Sequence, residues 1–193
     1  TITVNPLPIL SFSSIPELCV NDSLVLNLIS PTGGIYSGNS INNGIFYSNN
    51  TNLGINSINY TYTDLNSCTN NQTISLMVNN LTNITSSNSL INEFCFNDSI
   101  SVLNNYFPIG GTYFGNGISN NLFNPTLAGI GQQLVNYEFI DSNGCISNVL
   151  DTFNVNALPV VNLTSIELCE NSLPIVLNNG LPTGGTYSGN GIF

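Results

Sequence analysis

The sequence of 193 residues contains no lysine, arginine, histidine or tryptophan. Globular proteins usually carry a charged residue at about one position in four, whereas here 5% are charged, all of them acidic, and the formal net charge is −10. A nucleic-acid interface needs cations to release the counterions of phosphate groups. An anionic membrane surface would repel a chain with this negative net charge. The sequence contains no run of about 20 apolar residues, which membrane insertion of a helix would require. We expect neither partner.

The missing side chains also remove most catalytic machinery. Without histidine or lysine there is no ordinary general base, no cationic oxyanion clamp and no Ser-His-Asp triad. A glycosidase-like carboxylate pair remains conceivable, formed by Glu17 with Asp22 or by Glu138 with Asp141. Solvated loop positions are the commoner role of such carboxylates. We therefore predict that the chain is not an enzyme, with no catalytic or cofactor-binding residues.

What the sequence does contain is a repeat. The motif Gly-Gly-x-Tyr-x-Gly begins at Gly33, Gly110 and Gly184, with spacings of 77 and 74 residues. A fixed period of this length is typical of tandem arrays. A Val-Asn pair marks the end of each unit at Asn5, Asn79 and Asn156. The predicted organisation is the end of one repeat (1–5), two complete repeats (6–79 and 80–156), and the first half of another (157–193), within a longer repetitive protein.

Each repeat is predicted to be a small all-β domain. Polar and apolar residues alternate over short runs, as expected for half-buried strands, and Asn-Gly dipeptides mark tight turns between them. No window shows helical periodicity. Six or seven short strands in about 75 residues predict tandem Ig-like antiparallel β-sandwich repeats. The predicted strands of the first repeat region are 1–4, 9–12, 18–28, 35–37, 58–63 and 73–78, with hairpin turns at 64–67 and 141–144.

The five cysteines follow the same period. The first repeat contains Cys19 and Cys68, the second contains Cys95 and Cys145, and Cys169 begins a third pair. Two cysteines per repeat predict one disulfide per domain, Cys19–Cys68 and Cys95–Cys145, with the partner of Cys169 beyond the sequence. Free buried thiols are the alternative; a metal site is less expected, because a cysteine pair without histidine is a poor zinc site. Disulfides indicate an oxidising compartment.

Calcium is the metal for which the sequence offers oxygen ligands. Acidic residues recur near the predicted domain ends, although no dense Asp-x-Asp-x-Asp stretch is present, so we predict no cofactor and keep calcium as the alternative. These residues are Glu17, Asp22, Asp64, Glu93, Asp98 and Asp141.

Alternating aromatic residues close each full repeat, with Tyr60 and Tyr62 in the first and Tyr137 and Phe139 in the second. Such a stripe can form a platform for sugar stacking. Core packing and cross-strand pairing are the commoner roles, and we favour them.

Three motifs together resemble a known family. These are Gly-Gly-x-Tyr-x-Gly-x-Gly-Ile, the segment from Phe123 to Gly131 (Phe-Asn-Pro-Thr-Leu-Ala-Gly-Ile-Gly), and the Tyr-x-Phe-x-Asp-x-Asn-Gly-Cys run that ends at Cys145. They resemble the tandem repeats of giant Bacteroidota cell-surface adhesins, of which SprB-like gliding-motility adhesins are an example. The first repeat departs from the pattern, with Tyr47-Ser48-Asn49 in place of Asn-Pro and Asn66-Ser67 in place of Asn-Gly.

The resemblance implies export by type IX secretion, contact with its components during export, and a place on the bacterial cell surface. It implies a long filament whose partners are neighbouring repeats and an extracellular surface or polysaccharide, serving attachment or gliding. Ser23 and Ser99 follow aspartate and precede an aliphatic residue, which resembles the O-glycosylation signal of Bacteroidota; a plain turn is the alternative. A carbohydrate-binding module array of a secreted enzyme and a passive surface fibre remain the competing functions.

Overall fold

The structure is a computed structural model that describes residues 1–51, 53–87 and 92–192, with the side chain of Asn50 excepted. Phe193, which the repeat pattern aligns with Phe46 and Phe123, lies outside the described residues, as do 52 and 88–91. The all-β prediction is confirmed: sheets pack as sandwiches in successive repeats.

The first repeat contains a four-stranded sheet in the order β2-β9-β8-β5 and a three-stranded sheet in the order β3-β7-β6, with β1 and β4 forming a separate pair. Its long hairpin, β8–β9, holds Ile58 opposite Ile74 and turns at residues 64–68. The strands are β1 (Ser11–Phe12), β2 (Leu18–Cys19), β3 (Ser23–Val25), β4 (Ile29–Ser30), β5 (Ile35–Ser37), β6 (Ile41–Asn42), β7 (Ile45–Tyr47), β8 (Gly54–Thr63) and β9 (Thr69–Asn79).

The second repeat has the same layout. Its four-stranded sheet has the order β11-β18-β17-β14, its three-stranded sheet the order β12-β16-β15, and β10 pairs with β13. The strands are β10 (Thr85–Ser86), β11 (Glu93–Cys95), β12 (Ser101–Val102), β13 (Tyr106–Phe107), β14 (Thr112–Gly115), β15 (Ile118–Ser119), β16 (Leu122–Phe123), β17 (Gly131–Ile140) and β18 (Ile146–Asn156).

The sheets are mostly antiparallel, as predicted, with one short parallel pairing in each repeat. In both repeats the short strand that ends at a cysteine lies parallel to the closing strand. Cys19 is the register partner of Asn79, and Cys95 is the register partner of Asn156. The single residues Val20 and Phe96 then donate backbone hydrogen bonds to the carbonyls of Asn79 and Asn156, both over 2.9 Å. Each first cysteine is thereby fixed beside the end of its own repeat.

The core of the first repeat lies between its two larger sheets. Phe46 on β7 is completely buried, and it is in one cluster with residues of β8 and β9. Burying side chains of this size stabilises a fold by about 1.5–3 kcal/mol each. In the second repeat Phe94, Phe123 and Phe153 form an aromatic cluster with centroids 4.8–5.4 Å apart. In the first repeat, the cluster that contains Phe46 also includes Leu18, Leu26, Ile29, Ile58, Tyr60, Ile74, Leu76 and Val78.

In the described parts of the chain, helix is confined to single turns. A 3-10 turn (Ser48–Asn50) follows β7, and a four-residue helix, α1 (Pro125–Ala128), follows β16. The side chain of Asn124 caps α1 by accepting from the backbone N–H groups of Thr126 and Leu127, and proline is well suited to the first helical position. The first repeat has Tyr47-Ser48-Asn49 here, and it forms the 3-10 turn instead. None of the described helices is long and apolar enough to cross a membrane.

The ends of the sequence form fewer strands than predicted. Residues 1–4 form no strand, which corrects the prediction, and Ile2 and Val4 are almost fully exposed. The described residues of the third repeat contain only β19 (Asn162–Leu163) and β20 (Gly180–Leu181), which pair with each other. A strand needs a neighbour to satisfy its backbone groups, and no described strand pairs with residues 1–4.

By contact density, the described residues form two compact units. The first contains the described parts of Thr1–Leu90, Asn104–Phe114 and Asn136–Leu150; the second contains those of Ile91–Leu103, Gly115–Val135 and Asp151–Phe193. The predicted boundaries at 79 and 156 describe sequence repeats and stay predictions.

The two hairpin turns carry different residues at their left-handed position, which predicts a stabilising substitution. Ser67 has φ +63° where the second repeat has Gly144 at φ +82°, and a left-handed conformation costs a non-glycine residue about 1–2 kcal/mol. We expect Ser67→Gly to raise the free energy of unfolding by about 1 kcal/mol in urea titrations. The matched change Gly144→Ser should lower it by a similar amount, since no atom lies within 4 Å of the added Cβ. Equal stability of all three chains would contradict this account.

Candidate functional site

The Gly-Gly motif of the first repeat is held by a buried tyrosine hydroxyl. Tyr60 on β8 is 1% exposed, and its Oη accepts a hydrogen bond from the backbone N of Gly34 over 2.8 Å. The same hydroxyl donates to the carbonyl oxygen of Pro31 over 2.6 Å. A buried hydroxyl left without partners would destabilise the core by about 1–3 kcal/mol, so this turn and this tyrosine stabilise each other.

The second repeat reproduces the arrangement. Tyr137 Oη accepts from Gly111 N over 2.9 Å and donates to Pro108 O over 2.5 Å. The tyrosine of the motif itself supports the preceding strand: Tyr36 Oη accepts from Ile29 N in the first repeat. Tyr187 Oη accepts from Gly180 N over 2.6 Å in the third. The prolines at the three turns follow cis peptide bonds: Ser30-Pro31, Phe107-Pro108 and Leu181-Pro182.

The second glycine of the motif lies where there is no room for a side chain. A Cβ on Gly34 would lie 2.4 Å from Cζ of Tyr60 and 2.5 Å from the backbone oxygen of Thr61. A Cβ on Gly111 would meet Tyr137 and the backbone of Glu138 at 2.4 Å each. Such distances are below any normal contact, so only glycine lets the turn approach the tyrosine. The motif that organises the sequence is therefore a structural device.

The cysteines are paired differently from the prediction. The structure contains the disulfide Cys19–Cys145, with a sequence separation of 126 residues and Cα atoms 5.6 Å apart. It joins the first cysteine of one repeat to the second cysteine of the next, and both residues belong to the first compact unit. The predicted pairs Cys19–Cys68 and Cys95–Cys145 are therefore wrong. Cys68 is half-buried and unpaired, and Cys95 and Cys169 are exposed and unpaired, in the described residues.

The physical reason lies in how the backbone places Cys19. Because β2 runs parallel to β9, Cys19 lies beside Asn79 at the end of the closing strand. The hairpin that carries Cys145 reaches the same region, where Thr82 Oγ1 and Asp141 Oδ2 lie 3.3 Å apart. Counting two cysteines per repeat cannot distinguish this pairing from one within each repeat.

The recurring carboxylates accept hydrogen bonds from backbone and amide groups. Asp64 Oδ1 accepts from Asn66 N and Cys68 N over 2.8 and 2.9 Å, and Asp141 Oδ1 accepts from Asn143 N and Cys145 N over 2.9 Å each. Aspartate is common in turns because its side chain bonds the backbone two residues on. These two acids fix the hairpins that carry the second cysteines.

The two carboxylates of the predicted pair, Glu17 and Asp22, bind different groups. Glu17 Oε2 accepts from the side-chain amide of Asn79 over 2.8 Å, whereas Asp22 Oδ2 accepts from the backbone N of Cys19 over 2.9 Å. The matching acids of the second repeat, Glu93 and Asp98, accept from Asn154 and Asn156 and from Cys95 N.

The amide groups of Asn154 and Asn156 lower the pKa of Glu93 below its ordinary value of 4.5, because they favour the charged form. The stabilisation from this pair is present above the ordinary value and is lost as the pH falls through the lowered one.

A metal site is not formed by these acids. Among the residues that the structure describes, no group of three or more His, Cys, Asp or Glu side chains lies close enough to hold an ion. Calcium binding needs six to eight oxygen ligands, and Asp64 and Asp141 direct an oxygen toward backbone N–H groups. The residues do not fit the calcium alternative.

The aromatic stripe is largely part of the core. Tyr60 and Tyr137 are buried, and Tyr62 and Phe139 are half-buried. Ring pairs stabilise this packing, with centroids of Tyr36 and Tyr60 4.6 Å apart and an equivalent pair in the second repeat. Tilted aromatic pairs at this distance contribute about 0.5–1.5 kcal/mol beyond their buried area. Tyr60 and Tyr137 are not available to stack on a sugar.

Ser23 and Ser99, the candidate O-glycosylation positions, are both exposed. The aspartate before each serine is engaged with a cysteine N–H in the same turn. Modification of the two serines stays a prediction.

A cavity of about 900 Å³ lies in the third repeat, lined by residues such as Leu163, Ile166, Leu177 and Tyr187. The motif alignment places Leu177 and Tyr187 at the positions of Leu26 and Tyr36, which in the first repeat belong to or pack against the core. The cavity is the uncovered inner face of a repeat and gives no sign of a ligand.

The sequence matches no protein-family model, and among curated proteins no similar sequence is found.

The close approach at the glycine turn predicts a large effect from a small substitution. Gly34→Ala should lower the free energy of unfolding by about 1–3 kcal/mol, because the added methyl group forces Tyr60 or the backbone of Thr61 to move. Gly185→Ala is the matched control at the same motif position, where no atom lies within 4 Å of the added Cβ. Urea unfolding followed by tyrosine fluorescence measures both. An effect of Gly185→Ala as large as that of Gly34→Ala would refute the steric explanation.

Proposed function

We propose that this chain is a load-bearing segment of a long, secreted, cell-surface adhesin filament that mediates attachment or gliding. The observation that carries the proposal is the Cys19–Cys145 disulfide between consecutive sequence repeats. A bond within one repeat limits the extension of that repeat alone, whereas a bond from one repeat to the next limits the extension of all the chain between Cys19 and Cys145 when a domain unfolds. Such a limit on extension is useful to a filament under tension.

The disulfide supports a location of this chain outside the cell. Disulfides persist in oxidising environments such as the outside of a cell and are rare in the cytosol. A surface position also agrees with a chain whose solubility depends on Asn, Ser and Thr and not on ion pairs, since it has no cation at all. Export by type IX secretion follows only from the resemblance of the repeat motifs to Bacteroidota adhesins.

Local geometry gives less support to the carbohydrate-binding alternative. Tyr60 and Tyr137, the most regular aromatic positions, use their rings in the core and their hydroxyls at the glycine turns. Acidic side chains that could bind sugar hydroxyls, such as Asp64 and Asp141, accept from backbone N–H groups. The repeated features therefore serve the stability of each repeat, and the proposal assigns binding specificity to other parts of the filament.

Pulling on a single molecule tests the mechanical role. With the disulfide intact, the 126-residue separation between Cys19 and Cys145 is hidden from the applied force. At about 3.5 Å per residue, reduction should add about 440 Å of extended length. The double variant Cys19→Ser/Cys145→Ser should show this extra length without reductant, and Cys68→Ser should not. A gain of about 350 Å, in two steps, would instead indicate bonds within each repeat and would remove the main support for the proposal.

Antibody labelling and attachment assays test the cellular role. Antibodies against this chain should label intact cells that produce the full protein, and cells lacking it should attach to surfaces less strongly. Labelling only after permeabilisation would overturn the surface location. Saturable binding of the purified chain to one polysaccharide, lost when an exposed aromatic residue such as Phe114 is replaced by alanine, would favour the carbohydrate-binding module. Normal attachment without the protein would favour the passive fibre.

A further inference from the structure

The two classes of cysteine have constant backbone environments along the chain. A first cysteine donates its N–H to the side chain three residues later: Cys19 to Asp22 over 2.9 Å, Cys95 to Asp98 over 2.7 Å, and Cys169 to Ser172 over 3.0 Å. A second cysteine donates its N–H to the aspartate four residues earlier over 2.9 Å, at Cys68 and at Cys145. The unpaired cysteines therefore occupy the same two kinds of turn as the bonded pair.

The strand register extends this equivalence to Cys95. Cys19 lies opposite Asn79 and Cys95 lies opposite Asn156, in the same parallel pairing at the end of consecutive repeats. Cys19 in this position is bonded to the hairpin cysteine of the next repeat. Cys95 is exposed and unpaired at the corresponding place.

An independent contact places Cys68 at the end of the preceding repeat. Its Sγ lies 4.0 Å from the carbonyl oxygen of Asn5, and Asn70 on the same hairpin donates to Pro8 O over 2.9 Å. Asn5 closes the preceding repeat as Asn79 closes the first one. Because Asn79 is the register partner of Cys19, the neighbour of Asn5 in a preceding repeat would be that repeat's first cysteine.

We propose that the disulfides form a staggered series in which every first cysteine bonds the second cysteine of the following repeat. Cys68 is bonded to the first cysteine of the preceding repeat, and Cys95 and Cys169 are bonded to second cysteines of the two repeats that follow. The bonding partner of each free thiol is a cysteine in another repeat of the same chain. The inference rests on the proposed function only in requiring further repeats on both sides.

The burial of the second cysteines agrees with this assignment. Cys145, which is bonded, is completely buried, whereas its equivalent Cys68 is half-buried. Each bond forms when two thiols lose two protons and two electrons and an S–S bond replaces two S–H bonds. The electrons are accepted by a protein or small-molecule disulfide, which is reduced to a pair of thiols.

Thiol mapping of the present chain is the first test. The oxidised chain is alkylated and then digested with pepsin, because low pH suppresses the thiolate that drives exchange and trypsin has no Lys or Arg to cut. Cys68→Ser should leave the Cys19–Cys145 peptide pair intact, whereas Cys145→Ser should abolish it and expose Cys19. A Cys19–Cys68 peptide pair in the unaltered chain would overturn the proposal.

A lengthened chain tests the stagger itself. A second copy of residues 80–156 is added directly after Asn156, with Ser142→Thr and Asn97→Gln in the added copy to mark its peptides by mass. Cys95 of the original repeat should change from fully alkylated to fully bonded, and its partner should be the marked hairpin cysteine of the added copy. Retention of Cys19–Cys145 serves as the control for correct folding.

Three results overturn the proposal: a bond between Cys95 and Cys145, an alkylated Cys95 in a chain that retains Cys19–Cys145, or a Cys95 bond to a second molecule, detected as a covalent dimer. All measurements use purified protein, so they do not depend on where the protein lies in the cell. Failure of the surface-labelling experiment with a correct stagger would reject the adhesin role and leave the covalent series standing.

Discussion

The hydroxyl group of one buried tyrosine per repeat is the interaction on which each sandwich depends. Tyr60 places its ring in the core and its oxygen between Gly34 N and Pro31 O, so it links the long hairpin to the turn that precedes β5. A phenol buried without partners is unfavourable, and a turn closed by any residue larger than glycine would collide with the ring. The spacing of Pro, Gly-Gly and Tyr in the sequence is the consequence of this one contact.

The second constraint is the absence of cations. Carboxylates in most proteins pair with lysine or arginine, but here the recurring acids have only neutral N–H and O–H groups to bind. Asp64 and Asp141 stabilise hairpins, and Glu93 bonds the amides of Asn154 and Asn156. Acids of this kind are positioned by local backbone geometry, so they recur in register with the repeat. Their periodicity in the sequence resembles a ligand site, although the structure uses them to hold turns.

Local patterns predicted the parts of the fold that depend on local interactions. The strand at 35–37, the hairpin turns after Tyr62 and Phe139, and the burial of Tyr60 all follow from alternation and turn chemistry. The parallel pairing of β2 with β9 joins residues about 60 positions apart (Leu18 with Val78), and no short-range signal encodes it. The disulfide partner of Cys19 depends on that pairing, so local patterns could identify two cysteines per repeat but not their connectivity. Residues 1–4 alternate in polarity like a strand, yet they form none. An alternating pattern shows only that a segment could pack in a sheet, and a strand forms only where a neighbouring strand is present to pair with it.

The disulfide that joins Cys19 to Cys145 also determines what happens when the backbone is broken. A protease that cleaves a single peptide bond anywhere between these two residues leaves both halves attached through sulfur. Separation then requires a second event of a different chemical kind, the reduction of the bond. A single cut in this region therefore leaves the segment before Cys19 and the segment after Cys145 covalently connected.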